Sequence, residues 1–215
     1  MIAMARTIRW SGHVWQVRPS SESSAPGPNA WSDSSRNVAV NDDRLRLAIV
    51  REAGRWRCAQ VHLERALGYG TYEWVVASDV TALDPQAVLG LFTYDWHGGV
   101  ASSEIDIEFA SWGAPSDRDL LEFSVQPARP GQNRRLPLTA APPYACRFTW
   151  TPGRVEFSVH GATGQLGAYT STTDVFAPSP SAWPFVNLWL NRGSAPSGAQ
   201  AVELSRFSFT ALGEG

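Results

Sequence analysis

Residues 104–109 read Glu104-Ile105-Asp106-Ile107-Glu108-Phe109, a strict alternation of carboxyl and apolar side chains. Side chains at i, i+2 and i+4 of a β-strand share one face. The segment is therefore a strand with Glu104, Asp106 and Glu108 on one side and Ile105, Ile107 and Phe109 on the other. The apolar side reads as core. Three like charges at consecutive same-face positions repel one another and gain nothing for stability. A strand serving only as a solvated surface would more often interleave Thr, Lys or Arg there. From the residues alone two readings stand at this point, a solvated strand face, which is how most alternating acidic strands read, and a catalytic row.

Working outward, short alternating or apolar runs recur at Val14–Val17, Arg44–Val50, Trp56–Leu63, Tyr72–Ala77, Val88–Asp95, Leu121–Gln126, Arg147–Trp150, Val155–His160, Phe185–Leu190 and Val202–Phe209. Gly, Pro, Ser and Asn clusters separate them, such as residues 20–29 and the turn Thr151-Pro152-Gly153. Only Val80–Ala87, with Asp84-Pro85, has the character of a short helical turn. Many short strands without an amphipathic helix predict an all-β fold, a two-sheet antiparallel β-sandwich. No repeat or linker divides the chain, so residues 1–215 read as a single domain.

Composition narrows the function classes. The net charge of −2 and a pI near 6.1 provide no field for nucleic acid or an anionic membrane. All 18 basic residues are arginines, and they are scattered. No run approaches the ~18 apolar residues of a membrane span, and MIAMARTIRW lacks the apolar region of a signal peptide. Cys58 and Cys146 fit no metal spacing and read as two buried free thiols. Nor do His13, His62, His97 and His160 stand at metal-ligand spacing. Ten Trp, nine Phe and five Tyr form a heavy aromatic load, suited both to a sandwich core and to stacking on sugar rings.

Spacing sharpens the chemistry. Four strand steps separate the Glu104 and Glu108 Cα atoms by about 13 Å. Two glutamates leaning together leave a gap near the ~5–5.5 Å of retaining glycosidases, below the ~6.5–9.5 Å of inverting ones. Asp106 between them pushes the pKa of its neighbours upward.

The run Glu104-Ile105-Asp106-Ile107-Glu108 resembles the signature of glycoside hydrolase family 16, in its bulge-free, lichenase-like form. Further resemblances are Gly27-Pro28-Asn29-Ala30-Trp31-Ser32, Arg55-Trp56-Arg57-Cys58-Ala59, Gly68-Tyr69-Gly70-Thr71-Tyr72-Glu73, Gly90-Leu91-Phe92-Thr93-Tyr94 and Asn187-Leu188-Trp189. The resemblance implies a jelly roll with a concave substrate cleft, and a retaining endo-β-glycosidase acting on a β-1,3- or β-1,3-1,4-glucan. A transglycosylase, a galactan hydrolase on the same scaffold and a non-catalytic carbohydrate-binding module are the alternatives. It places the nucleophile at Glu104, the acid/base at Glu108 and an assisting carboxylate at Asp106. It implies a polysaccharide substrate, a monomer, an extracellular location and no cofactor for the chemistry, with a structural calcium near Glu203 in some members.

By strand parity and this resemblance, Phe92, Tyr94, Asn187 and Trp189 face the sugar, as does Gln126 beside Glu122 and Ser124. Trp96, next to Gly98-Gly99, reads equally as core or cleft. Two departures affect specificity. Lichenases usually carry Cys-Ala-Glu-x-Arg where this chain has Cys58-Ala59-Gln60-Val61-His62, so Gln60 and His62 are expected to retune the glycone subsite. Ser103 replaces the tryptophan that precedes the lichenase signature, which removes a stacking wall.

Overall fold

The computed structural model describes residues 5–97, 103–127, 132–173 and 175–213; the Gly98-Gly99 loop lies outside them. The strands in chain order are β1 (Thr7–Trp10), β2 (His13–Val17), β3 (Ser21–Ser24), β4 (Asn29–Trp31), β5 (Val38–Asn41), β6 (Arg44–Glu52), β7 (Arg55–His62), β8 (Gly70–Val76) and β9 (Ala87–Asp95). They continue as β10 (Glu104–Ala110), β11 (Leu121–Gln126), β12 (Arg134–Leu136), β13 (Tyr144–Thr151), β14 (Arg154–Gly161), β15 (Gly164–Ser171), β16 (Ala182–Leu190) and β17 (Gln200–Ala211).

Two antiparallel sheets result. One runs β12-β11-β10-β9-β16-β7-β2-β1. The other runs β5-β6-β17-β8-β13-β14-β15. The hairpin β6–β7 joins them at one corner, pairing Val50 with Arg57. Its turn places Ala53 and Gly54 at φ 46° and 81°, the left-handed pair that matches the twist of a two-residue hairpin. The fold is the all-β sandwich that the sequence predicts. One pairing departs from it, since β4 lies parallel to β7 through Ala30↔Arg57 and Trp31↔Cys58.

Alternation along each strand builds the core. From the first sheet, Leu89, Leu91, Ile105, Ile107, Phe109, Leu121, Phe123, Val186 and Leu188 point inward. Leu45, Leu47, Trp74, Phe148, Phe157, Val159 and Leu204 meet them from the second, all buried. Phe123 stacks on Phe157 across the gap at 5.1 Å between ring centroids. At roughly 1.5–3 kcal/mol per fully buried large side chain, this interface dominates the stability of the fold. The short helical turn expected in 80–87 is a 3-10 turn at Val80–Ala82, capped by Asp79 accepting from Thr81 N at 2.9 Å. Among the described residues no helix is long and apolar enough to cross a membrane.

Candidate active site

The signature strand β10 lies between β9 and β11, and its register fixes every neighbour of the carboxylate row. Glu104 pairs with Gln126 on one side and Tyr94 on the other. Asp106 pairs with Ser124 and Phe92, and Glu108 with Glu122 and Gly90. The rows continue onto β16 and β7, where Tyr94 meets Trp183, Phe92 meets Phe185 and then His62, and Gly90 meets Asn187 and then Gln60. Parity thus carries one continuous functional face across five strands.

These side chains line a cleft of about 450 Å³ on the outer face of the first sheet. Its walls hold Glu104, Asp106, Glu108, Phe92, Tyr94, Gln60, Asn187 and Trp189, together with Arg18, Gly90, Trp96, Phe185, Ala25 and Pro26. Glu104 and Glu108 are partly exposed, whereas Asp106 is 5% exposed and lies beneath them. Ser124 Oγ donates to Asp106 Oδ2 at 2.8 Å, and Gln126 Nε2 donates to Ser124 Oγ at 3.3 Å.

All three carboxyl groups are pushed above the ordinary carboxylate range. Burial is the first cause at each, followed at Glu104 and Glu108 by the charge of Asp106. Asp106 is also raised by burial, but it accepts hydrogen bonds from Ser124, Glu104 and Gln126, which favour its charged form. The row therefore titrates as one coupled unit and holds fewer than three negative charges near neutrality. The hydrogen bond between Glu104 and Asp106 raises the first carboxyl and lowers the second.

Of the expected sugar contacts, Gln126 stands behind the carboxylate row and His62 stands at the edge of the cleft. Gln126 is absent from the cleft lining and is engaged in supporting Ser124 and Asp106. His62 lies in a stack of rings, 5.0 Å from Phe185, 5.6 Å from Trp183 and 6.2 Å from Trp96. Burial lowers its pKa, and its Nδ1 has no protein partner. A guanidinium nevertheless reaches this region. Arg18 donates to Gln60 Oε1 at 3.1 Å and Ser24 Oγ at 2.8 Å, and lies 3.8 Å over the Trp31 ring. Nothing in the local sequence marks Arg18, which follows β2 and reaches the cleft only through the β2–β7 pairing. Phe185 was detectable by parity with Asn187 and Trp189. Trp96, 52% exposed, lines the cleft one strand away from Ser103.

Gly90 keeps the floor open. A Cβ there would stand 2.5 Å from Asn187 Oδ1, which is buried without a protein partner. Elsewhere, Glu203 faces Arg44 at 3.8 Å, so a cation at that carboxylate would have to displace an ion pair. Among the described residues no group of three His, Cys, Asp or Glu side chains is arranged to hold a metal. Cys58 and Cys146 are buried free thiols.

Scans against protein-family models and curated proteins found no match. Solved structures do match. A Bacillus licheniformis β-glucanase superposes with a TM-score of 0.74 at 19% identity, over 97% of this chain and 100% of that one. A glycoside hydrolase family 16 endo-glucanase from Bacteroides ovatus gives 0.68 at 10% identity, covering 91% and 94%. An immunostimulatory antigen and pseudo β-1,3-glucanase of Mycobacterium tuberculosis gives 0.66 at 20% identity, covering 91% of both. The chain has the jelly-roll fold of these proteins.

Proposed function

We propose that this chain is a retaining endo-β-glycosidase that hydrolyses a β-1,3- or β-1,3-1,4-linked glucan. The observation that carries the reading is the row Glu104, Asp106, Glu108 on the floor of a cleft walled by aromatic rings and amides. The fold alone is a weaker argument, because one of its neighbours is described as a pseudo β-1,3-glucanase.

In the first step Glu104 attacks the anomeric carbon while Glu108 gives its proton to the leaving glycosidic oxygen. The proton that Glu104 shares with Asp106 in the free site is taken up by Asp106 before attack, which leaves Glu104 anionic and Glu108 still protonated. Once the glycosyl ester forms, Glu104 bears no charge and Glu108 loses a repelling neighbour. Its pKa falls, and it takes a proton from the incoming water. Phe92, Tyr94, Trp96 and Trp189 offer flat faces to sugar rings, while Asn187, Gln60 and Arg18 offer polar contacts to hydroxyls. Three carboxyl groups and water account for the chemistry, so no cofactor is invoked. A polymeric substrate supports an extracellular place of action.

The test is product analysis on lichenan, laminarin, xyloglucan, agarose and carrageenan, with Glu104→Ser as control. Cleavage of a β-glucan with net retention in early NMR spectra, lost in Glu104→Ser, is expected. Inversion, or undiminished activity in that variant, would overturn the mechanism. Products joined to a sugar acceptor would instead identify a transglycosylase.

A further inference from the structure

Glu108 has a second carboxylate neighbour outside its own strand. Glu122 on β11 stands directly opposite it, and opposed residues of an antiparallel pair have Cβ atoms about 5 Å apart. A like-charged pair in that position is destabilising, yet Glu122 is firmly held there. Trp112 Nε1 donates to it at 2.9 Å, Asn133 Nδ2 at 2.6 Å, and Arg135 Nε lies 3.4 Å away. Its side chain is only 12% exposed. These groups come from two segments, the loop after β10 and the stretch leading through β12, and Trp112 adopts a left-handed backbone, φ 51°. Its ring meets Trp189 of the cleft edge-on at 5.9 Å. Arg135 is itself anchored by Asp117 Oδ2 at 2.8 Å and the Asp119 carbonyl at 2.6 Å.

The electrostatic surroundings of Glu108 are otherwise simple. Asp106 and Glu104 flank it on β10. β9 presents Gly90, and β16 presents Asn187 and Trp189, none of them charged. Arg18 lines the cleft from beyond β2. Glu122 is thus the one carboxylate facing Glu108 from another strand among the described residues, with Arg135 behind it as a counter-charge.

We propose that Glu122 is a positioning residue for proton transfer, whose fixed negative charge keeps the acid/base proton on Glu108 until the glycosidic oxygen takes it. Arg135 sets how much of that charge Glu108 feels. The inference rests on the assignment of Glu108 as the acid/base. The upward displacement of Glu108, caused by burial, then Asp106, then Glu122, agrees with it. A merely structural network would satisfy Glu122 for packing alone and leave the titration of Glu108 unaffected.

The experiment is the pH profile of kcat/KM on the β-glucan that the wild type cleaves. Glu122→Gln preserves shape and removes charge, and should move the basic limb down by about one pH unit. Arg135→Met leaves Glu122 uncompensated and should move the same limb up, while Arg135→Lys restores it. Asn133→Ala removes a hydrogen bond without changing charge and should leave the limb in place. Opposite displacements by the two charge variants support the proposal, and a structural defect would not produce them. If Glu122→Gln does not fold, Arg135→Met against Arg135→Lys decides alone. A basic limb unmoved by charge in an active enzyme overturns this inference only. An inactive wild type overturns the proposed function itself.

Discussion

Replacing Asp106 by Asn should make the protein more stable at neutral pH and a poorer catalyst. The side chain is 5% exposed, and burial foremost lifts its carboxyl from an ordinary 3.8 to about 6. Between those values the folded protein binds more protons than the unfolded chain, so stability falls as pH rises through the window. At about 1.4 kcal/mol per pH unit, ionising Asp106 costs the fold about 3 kcal/mol by pH 7. Asn carries no such cost, and its Oδ1 can still accept from Ser124. It also relieves Glu104 and Glu108 of a charge that pushes both upward. For a chain of this size about 2–4 °C of Tm corresponds to 1 kcal/mol, so Asp106→Asn should melt up to about 10 °C higher at pH 7. The gain should shrink toward zero near pH 4, where the wild-type carboxyl is protonated. Thermal unfolding followed by circular dichroism across that range measures it. Activity should drop on the order of 100-fold, since the row loses the group that takes up the proton of Glu104. A variant no more stable than wild type at pH 7, or one whose advantage persists unchanged on acidification, would refute the account of the row as a stability cost retained for chemistry.

Gly90→Ala places a methyl 2.5 Å from Asn187 Oδ1 beside Glu108; kcat/KM on a glucan should fall on the order of tenfold, a 1.4 kcal/mol effect on the transition state, with a smaller change in urea midpoint. Arg18→Met removes the contacts to Gln60 and Ser24. It should raise KM for oligosaccharides with kcat nearly unchanged, the signature of lost uniform binding in steady-state kinetics. Burial pushes the Cys58 thiol up to about 12 and raises Cys146 as well. Mass spectrometry after iodoacetamide treatment should therefore show no labelling of the native protein and two labels after denaturation.

Period-two alternation made the fold legible, because burial on one face leaves a mark in every central strand. Leu121–Gln126 is one strand in which the pattern and the structure coincide. The strands that left no such mark lie at edges or corners. Ser21–Ser24 is polar throughout, Asn29–Trp31 is buried at all three positions, and Arg134–Leu136 and Gly164–Ser171 each border open solvent or a small neighbour. Ser21–Ser24 and Arg134–Leu136 are too short to bury enough apolar surface to impose an alternation, and Gly164–Ser171 has too few large apolar side chains to show one. The parallel seat of β4 on β7 is likewise invisible, since pairing direction depends on the corner where β6 passes into β7.

The same limit governs the site. Glu104, Asp106 and Glu108 are neighbours in sequence, so their shared face follows from spacing alone. What surrounds them depends on register between strands distant in the chain. Glu122 becomes a partner of Glu108 only once β10 and β11 are aligned, and Arg135 joins them only through β12. Position 62 makes the point most directly. Resemblance suggested a sugar contact there, with His in place of Arg. Yet His62 packs into an aromatic stack at the cleft edge, and a guanidinium arrives from Arg18, beyond the end of β2. A cation beside Gln60 is thus supplied in space from a segment that no aligned position would nominate. Substrate choice in this cleft should accordingly follow substitutions at residue 18 more closely than substitutions at residue 62.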